Sequence, residues 1–309
     1  MKKLIAILLA VLILAIIFTR IDLKEFFRYI SQMDFISFSI ALLLFFPLVM
    51  IPAWRWKFLV RKKTDLRLSE SVKLVLASSA LNIFLPSKMG DLSKSYFLKK
   101  KCGVDLKRAT NVLIFERYVD TAALSAMALL GALGARPFSN VNWIVIGFST
   151  AVILMFPVLY FLNFDQKWAF SALNGNRYAE KLRHFLHDAQ DYLGELKRDP
   201  RSLAVILAVS IFLWFLHLLQ FYFAFLAIRA EVPWPQIFGL VPMAIFVGML
   251  PITVAGIGSR DAALILFFAP YAPASQMAFI GLFASLRYFL PGLCGVPFIH
   301  QYAIDPSAS

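Results

Sequence analysis

Two cysteines in 309 residues exclude a disulfide framework. Cys102 falls in a basic loop and Cys294 in the last apolar run, so no bridge between them is expected. The chain also lacks a metal-ligand cluster, a nucleophile–histidine pair and any βαβ unit, which leaves no catalytic residue, metal or cofactor to nominate. Alternating ten-residue strands are missing, which excludes a β-barrel. Nor does a small-x-small cleavage site follow the basic start and short apolar run at residues 2–19, so that run reads as an uncleaved first span.

What the chain has in excess is apolar surface. Sixty per cent of residues are hydrophobic and the mean hydropathy is +0.74, against about 45–50% apolar in ordinary soluble domains. Runs near 20 residues recur, as a polytopic α-helical membrane protein requires. The fold class is therefore all-α, with about six to eight transmembrane helices and two re-entrant or broken helix pairs. A net charge of +13 would suggest nucleic acid in a soluble protein. Here the basic residues sit between apolar runs and act as cytoplasmic topology signals, so no nucleic-acid partner is expected. That reading places the protein in a plasma (inner) membrane, with its N-terminus and C-terminus cytoplasmic.

The chain reads as one integral membrane domain in four parts. Residues 1–34 hold the first span and an outer interfacial segment. Residues 35–162 form a first half containing a motif at 85–120. A cytoplasmic amphipathic segment covers 163–201, and a second half, 202–309, contains a motif at 250–287. Phe35–Ala53 is the second span, with Trp54 and Trp56 as interfacial anchors. Basic blocks at 55–73 and 88–108 both belong inside, so Leu74–Pro86 between them is too short to cross and must return. A short amphipathic surface helix is the alternative for that stretch. His184, His187, Asp188 and Asp191 could space a metal site, but half of that amphipathic helix must be polar in any case.

Two stretches break the apolar pattern. The first joins Asn82, Pro86, Gly90, Asp91 and Lys94 to a following span carrying Glu116, Arg117 and Asp120. The second places Pro251, Gly256, Gly258, Ser259, Arg260 and Asp261 within eleven positions, followed by Arg287 in mid-span. Broken backbone at membrane depth must be buried in protein or line a wet cavity. Intramembrane charges mark sites by default. Each stretch is Leu-Pro, a small-residue break, a basic–acidic cluster and, about thirty residues on, an intramembrane arginine. On this topology they enter from opposite sides, the inverted-repeat pattern of many transporters. Ser259 is the expected N-cap of the helix after the second break. Arg117, Arg260 and Arg287, with Lys94 at the cytoplasmic mouth, could converge on a phosphate.

Leu85-Pro86, Gly90-Asp91, Lys94, Glu116-Arg117-x-x-Asp120, Pro251, Gly256-Ile257-Gly258-Ser259-Arg260-Asp261 and Arg287 together resemble the lysylphosphatidylglycerol synthase transmembrane-region family of flippase-like membrane proteins. The similarity runs from about residue 35 to 298. Asp91 and Asp261 stand where that family often has Glu, Lys94 where Arg is usual, and Ala255 where Gly is frequent. The resemblance implies a bundle that binds, and flips between leaflets, an anionic or aminoacylated lipid. An anionic phospholipid or lipid-linked phosphate is the expected partner, with an envelope lipid-synthesis enzyme as a second. No soluble aminoacyl-transferase domain is expected, as about ten residues follow the last apolar run. Two other readings stand beside it. One is a membrane enzyme on a phospholipid or polyprenyl phosphate, with Glu116 or Asp120 as acid/base. The other is a scaffold docking through helix 177–198.

Overall fold

A computed structural model describes residues 15, 19, 22–61, 64–84, 86–103, 105–135, 140–161, 199–250, 253 and 256–302. Every regular element among them is helical, and the protein is an all-α polytopic membrane protein. Among the described residues, three stretches, Phe35–Val60, Pro200–Ala227 and Ala274–Phe298, are long and apolar enough to span a bilayer. Large apolar side chains such as Phe35, Ile36, Leu130, Ile144, Leu266 and Leu293 face outward, as hydrocarbon solvent requires.

A short helix, α1 (Leu23–Ser31), is capped by Asp22 and leads into α2 (Phe35–Leu43) and α3 (Phe45–Val60). These two form one 26-residue span. Pro47 interrupts it at Leu44, because a proline nitrogen cannot donate back to the carbonyl of Leu43. Asp34 caps α2 through the amides of Ile36 and Ser37. The Ser37 hydroxyl, with those amides, holds the Asp34 carboxyl below its usual range. Antiparallel to this span runs α8 (Pro200–Ala227). At one end the Asp34 amide donates to the Ala227 carbonyl (2.8 Å), and at the other Arg61 donates to Ser202 (2.7 Å). These contacts define an Asp34 end and an Arg61 end of the bundle.

Two helical hairpins enter from those opposite ends. After Arg61 comes α4 (Leu68–Phe84), a 3₁₀ turn over Pro86–Asp91, and α5 (Leu92–Cys102) folding back. After Ala227 comes α9 (Trp234–Met249), the second break, and α10 (Ser259–Phe268), which packs back on α9. Each hairpin precedes a long helix running to the other end. Helix α6 (Leu106–Gly134) packs on α5 and then reaches the start of α9. A Cβ at its Gly131 would lie 2.3 Å from the Gly239 amide nitrogen. Helix α11 (Ala274–Gly295) packs on α10 and then reaches α4, where a Cβ at Gly295 would lie 1.9 Å from the Leu76 carbonyl. The two hairpins thus exchange partners as an inverted pair should, and small residues allow both close approaches. Helix α7 (Asn140–Phe161) flanks α6, and a last short helix, α12 (Ile299–Tyr302), lies against α4.

Several expectations shift. The second span continues past Ala53 to Val60, so Trp56 is fully buried and anchors no interface. The stretch expected as Leu74–Pro86 begins at Leu68 and buries Leu74, Ala77 and Ala80 against α3 and α11, so it is not a surface helix. All but two residues of the first span, together with Pro251 and helix 177–198 with its His184 and His187, lie outside the described residues.

Candidate functional site

The first hairpin and its neighbours gather six charges. Helix α6 turns Glu116, Arg117 and Asp120 into the bundle, α3 supplies Arg55, and the turn into α5 supplies Asp91 and Lys94. Arg55 is the centre of this cluster. Its guanidinium donates to Glu116 (2.8 Å), to both carboxylate oxygens of Asp120 and to the Ser210 hydroxyl (2.6 Å) on α8. Lys94 lies 3.5 Å from Glu116 and 3.7 Å from Asp91. Asn82 donates to Asp91 (3.2 Å). Five of the six charged residues are buried. The sixth differs: Arg117 keeps a third of its side chain exposed (34%) and meets Asp91, Glu116 and Asp120 only at 3.5–3.6 Å. Three cations face three anions, so the cluster is formally neutral.

The expected roles are redistributed by this geometry. Asp120 is neutralised chiefly by Arg55, not by its i,i+3 neighbour Arg117. Lys94 is enclosed between two carboxylates and under Trp56 (5.3 Å to the ring centroid), so it does not stand at a mouth. Arg55 itself read as one of seven basic residues in a cytoplasmic block. The available signal was Phe58-Leu59-Val60, which carries the apolar pattern on beyond it.

At the second break, Gly256 (φ 72°) and Gly258 (φ 90°) take left-handed backbone that glycine alone adopts without strain. Gly256 also lies against Gly248, where a Cβ would come 2.6 Å from the carbonyl oxygen. The N-cap of α10 is Gly258, one residue earlier than expected. Asp261 at N3 accepts from the Gly258 amide (2.9 Å), and Ser259 instead pairs with Thr253 (2.7 Å). The helix start is therefore satisfied by its own carboxylate. Asp261 also fixes Arg260 (3.0 Å), which donates further to Ser285 (2.8 Å) and the Gly281 carbonyl (3.3 Å). This pair too is neutral.

Arg287 is placed differently from the others. It contacts Nδ1 of His217 and lies over the Phe221 ring (4.4 Å to the centroid), with no carboxylate partner among the described residues. Its Nε has no hydrogen-bond partner among them. Both His217 and, three residues on along α8, Gln220 make interhelix contacts: Gln220 donates to the Ala41 carbonyl (2.8 Å).

These groups share one space. A cavity of about 210 Å³ is lined by Arg55, Asp91, Lys94, Arg117, Asp120, Arg260 and Arg287. Along α2 and α3 the wall is apolar, including Leu42, Phe45 and Leu48, so the cavity has a charged region and a greasy one. A second cavity of about 380 Å³ shares Asn82, Asp91, Arg117, Gly248 and Tyr288 with the first and lies between Met89 of one hairpin tip and Gly256 of the other. Together they have the size of a small-ligand site. Gly90 packs on the α4 backbone, where a Cβ would lie 2.5 Å from the Asn82 nitrogen, so it serves the turn itself. Pro86 opens the same turn.

Residues 3–295 match the family described as lysylphosphatidylglycerol synthase TM region. A UPF0104 membrane protein of Methanothermobacter thermautotrophicus is 22% identical over 294 residues, covering 89% of this chain and 87% of the relative. A UPF0104 membrane protein of Methanocaldococcus jannaschii is 25% identical over 194 residues, covering 60% and 77% respectively.

Proposed function

The chain belongs to the lysylphosphatidylglycerol synthase TM region family, and from that premise we propose that it binds a lipid by its head group and carries it between leaflets of the plasma (inner) membrane. The observation that carries this reading is the shared cavity. Cations from both halves, Arg117, Arg260 and Arg287, line a space whose other wall is apolar. Guanidinium groups match phosphate oxygens in pairs, and the apolar wall suits the start of an acyl chain. The two hairpins meet at the cavity from opposite ends, so rocking one half against the other would expose it alternately. In this proposal both termini face the cytoplasm, a reading supported by the distribution of basic residues.

A binding role fits the carboxylates better than a chemical one. Glu116 and Asp120, the candidate acid/base groups of an enzyme, both accept from Arg55. Carboxylates held by a guanidinium in this way are committed to the frame of the bundle rather than presented to a reacting group. Native mass spectrometry of the purified protein tests the proposal, comparing wild type with Arg117→Ala and Arg260→Ala. A phospholipid or polyprenyl phosphate held by wild type and lost from both variants supports it, and a leaflet assay in liposomes should then show transfer with no change in lipid mass. Equal retention by all three proteins would overturn the head-group site.

A further inference from the structure

Among the described residues, the charges around the cavity do not cancel. The first cluster sets Arg55, Lys94 and Arg117 against Asp91, Glu116 and Asp120, and Arg260 is matched by Asp261. Arg287 remains, with no carboxylate among the described residues to balance it. Its hydrogen-bond partner supplies no counter-charge. A guanidinium can only donate, so Nδ1 of His217 accepts, and the ring is the neutral tautomer protonated at Nε2. Counted over the described residues in and directly behind the lining, the groups around the cavity therefore carry one net positive charge, and it sits on a side chain stacked on Phe221 within the membrane-spanning part of α11.

An unbalanced cation there is costly, and the protein keeps it beside an open cavity. We infer that the site selects a head group with one net negative charge, a phosphodiester lipid, and disfavours both dianionic phosphomonoesters and cationic aminoacylated lipids. A monoanion would bring the lining to neutrality. A dianion would leave one buried negative charge in excess, and an aminoacylated head group of net positive charge would leave two positive. Arg287 is the residue that sets this preference, because the remaining cations are already engaged by carboxylates. This inference rests on the lipid-binding reading above and narrows it.

The test is competition for the detergent-solubilised full chain, read by native mass spectrometry. The probes are phosphatidylglycerol, phosphatidic acid, lysylphosphatidylglycerol and zwitterionic phosphatidylethanolamine. Wild type should retain phosphatidylglycerol over each of the other three by about tenfold or more, the discrimination that corresponds to roughly 1.4 kcal/mol. Arg287→Gln should abolish or reverse the preference for phosphatidylglycerol over phosphatidylethanolamine, whereas Arg287→Lys should keep it. Wild type favouring the aminoacylated lipid or the monoester overturns the inference and leaves lipid binding intact. An unchanged preference in Arg287→Gln does the same. Retention of none of the four by wild type overturns the lipid-binding reading and this inference with it. Should Arg287→Gln fail to fold, the wild-type ranking and Arg287→Lys still decide.

Discussion

At the scale of single residues, the arginines divide by how firmly they are held. Arg55 is fully buried and donates to two carboxylates and a hydroxyl, so it belongs to the frame. Truncating it to Met would leave Glu116 and Asp120 charged and under-compensated, at a cost of about 3–5 kcal/mol. Thermal unfolding in detergent should therefore fall sharply for Arg55→Met and recover in part when Asp120→Asn is added. An unchanged midpoint in Arg55→Met would show that the cluster does not hold the helices together. Arg117, a third exposed to the cavity and held only at 3.5–3.6 Å, should cost less than Arg55 when changed to Gln, although three carboxylates would then face two cations. This distinction was not open to the sequence. Charge patterning identifies that Glu116, Arg117 and Asp120 must face inward, but the partner on α3 is about sixty positions away and looks like any other flanking basic residue. Arg260 and Arg287 were readable as intramembrane charges, yet only packing shows that, among the described residues, one is matched by a carboxylate and the other is not.

At the scale of elements, the breaks were the most readable feature, because a proline and glycines in an apolar run have few other uses. Their local chemistry was less so. Ser259 has the residue type of an N-cap, but the left-handed backbone at Gly258 moves the cap one residue back and gives the amide to Asp261. Two of the positive-φ glycines, Gly256 and Gly103, separate strain from crowding. Gly103 (φ 63°) ends α5 with nothing within 4 Å of the place an alanine methyl would occupy, whereas Gly256 (φ 72°) would drive a Cβ into the Gly248 carbonyl. Gly103→Ala should cost roughly 1–2 kcal/mol, the conformational penalty alone. Gly256→Ala adds a backbone clash between α9 and the start of α10 and should cost about 1–3 kcal/mol more. Denaturation midpoints of the two variants, measured side by side, check the difference. Equal losses would mean that the second break yields easily and is not a fixed wall of the cavity.

For the whole molecule, the decisive relation is that the hairpins enter from opposite ends. Sequence reached it through the positive-inside rule and a weak resemblance between two Leu-Pro motifs. The structure reaches it independently, through the antiparallel contact of the α2–α3 span with α8, fixed by Asp34 to Ala227 at one end and Arg61 to Ser202 at the other. What sequence could not supply was convergence. Whether two tips entering from opposite sides meet depends on hairpin depth and on the close approaches at Gly131 and Gly295, neither of which is written in periodicity. The opposed entry has a direct consequence. Asp65 precedes the first hairpin and Glu231 the second, and both are exposed. With Cys102 and Cys294 replaced by Ser, single cysteines at Asp65→Cys and Glu231→Cys should react with a membrane-impermeant maleimide from opposite faces of sealed vesicles. Asp65→Cys should label in inside-out vesicles and Glu231→Cys in right-side-out ones. Labelling of both from one face would place the hairpins on the same side, and rocking of two opposed halves around a shared cavity would lose its structural basis.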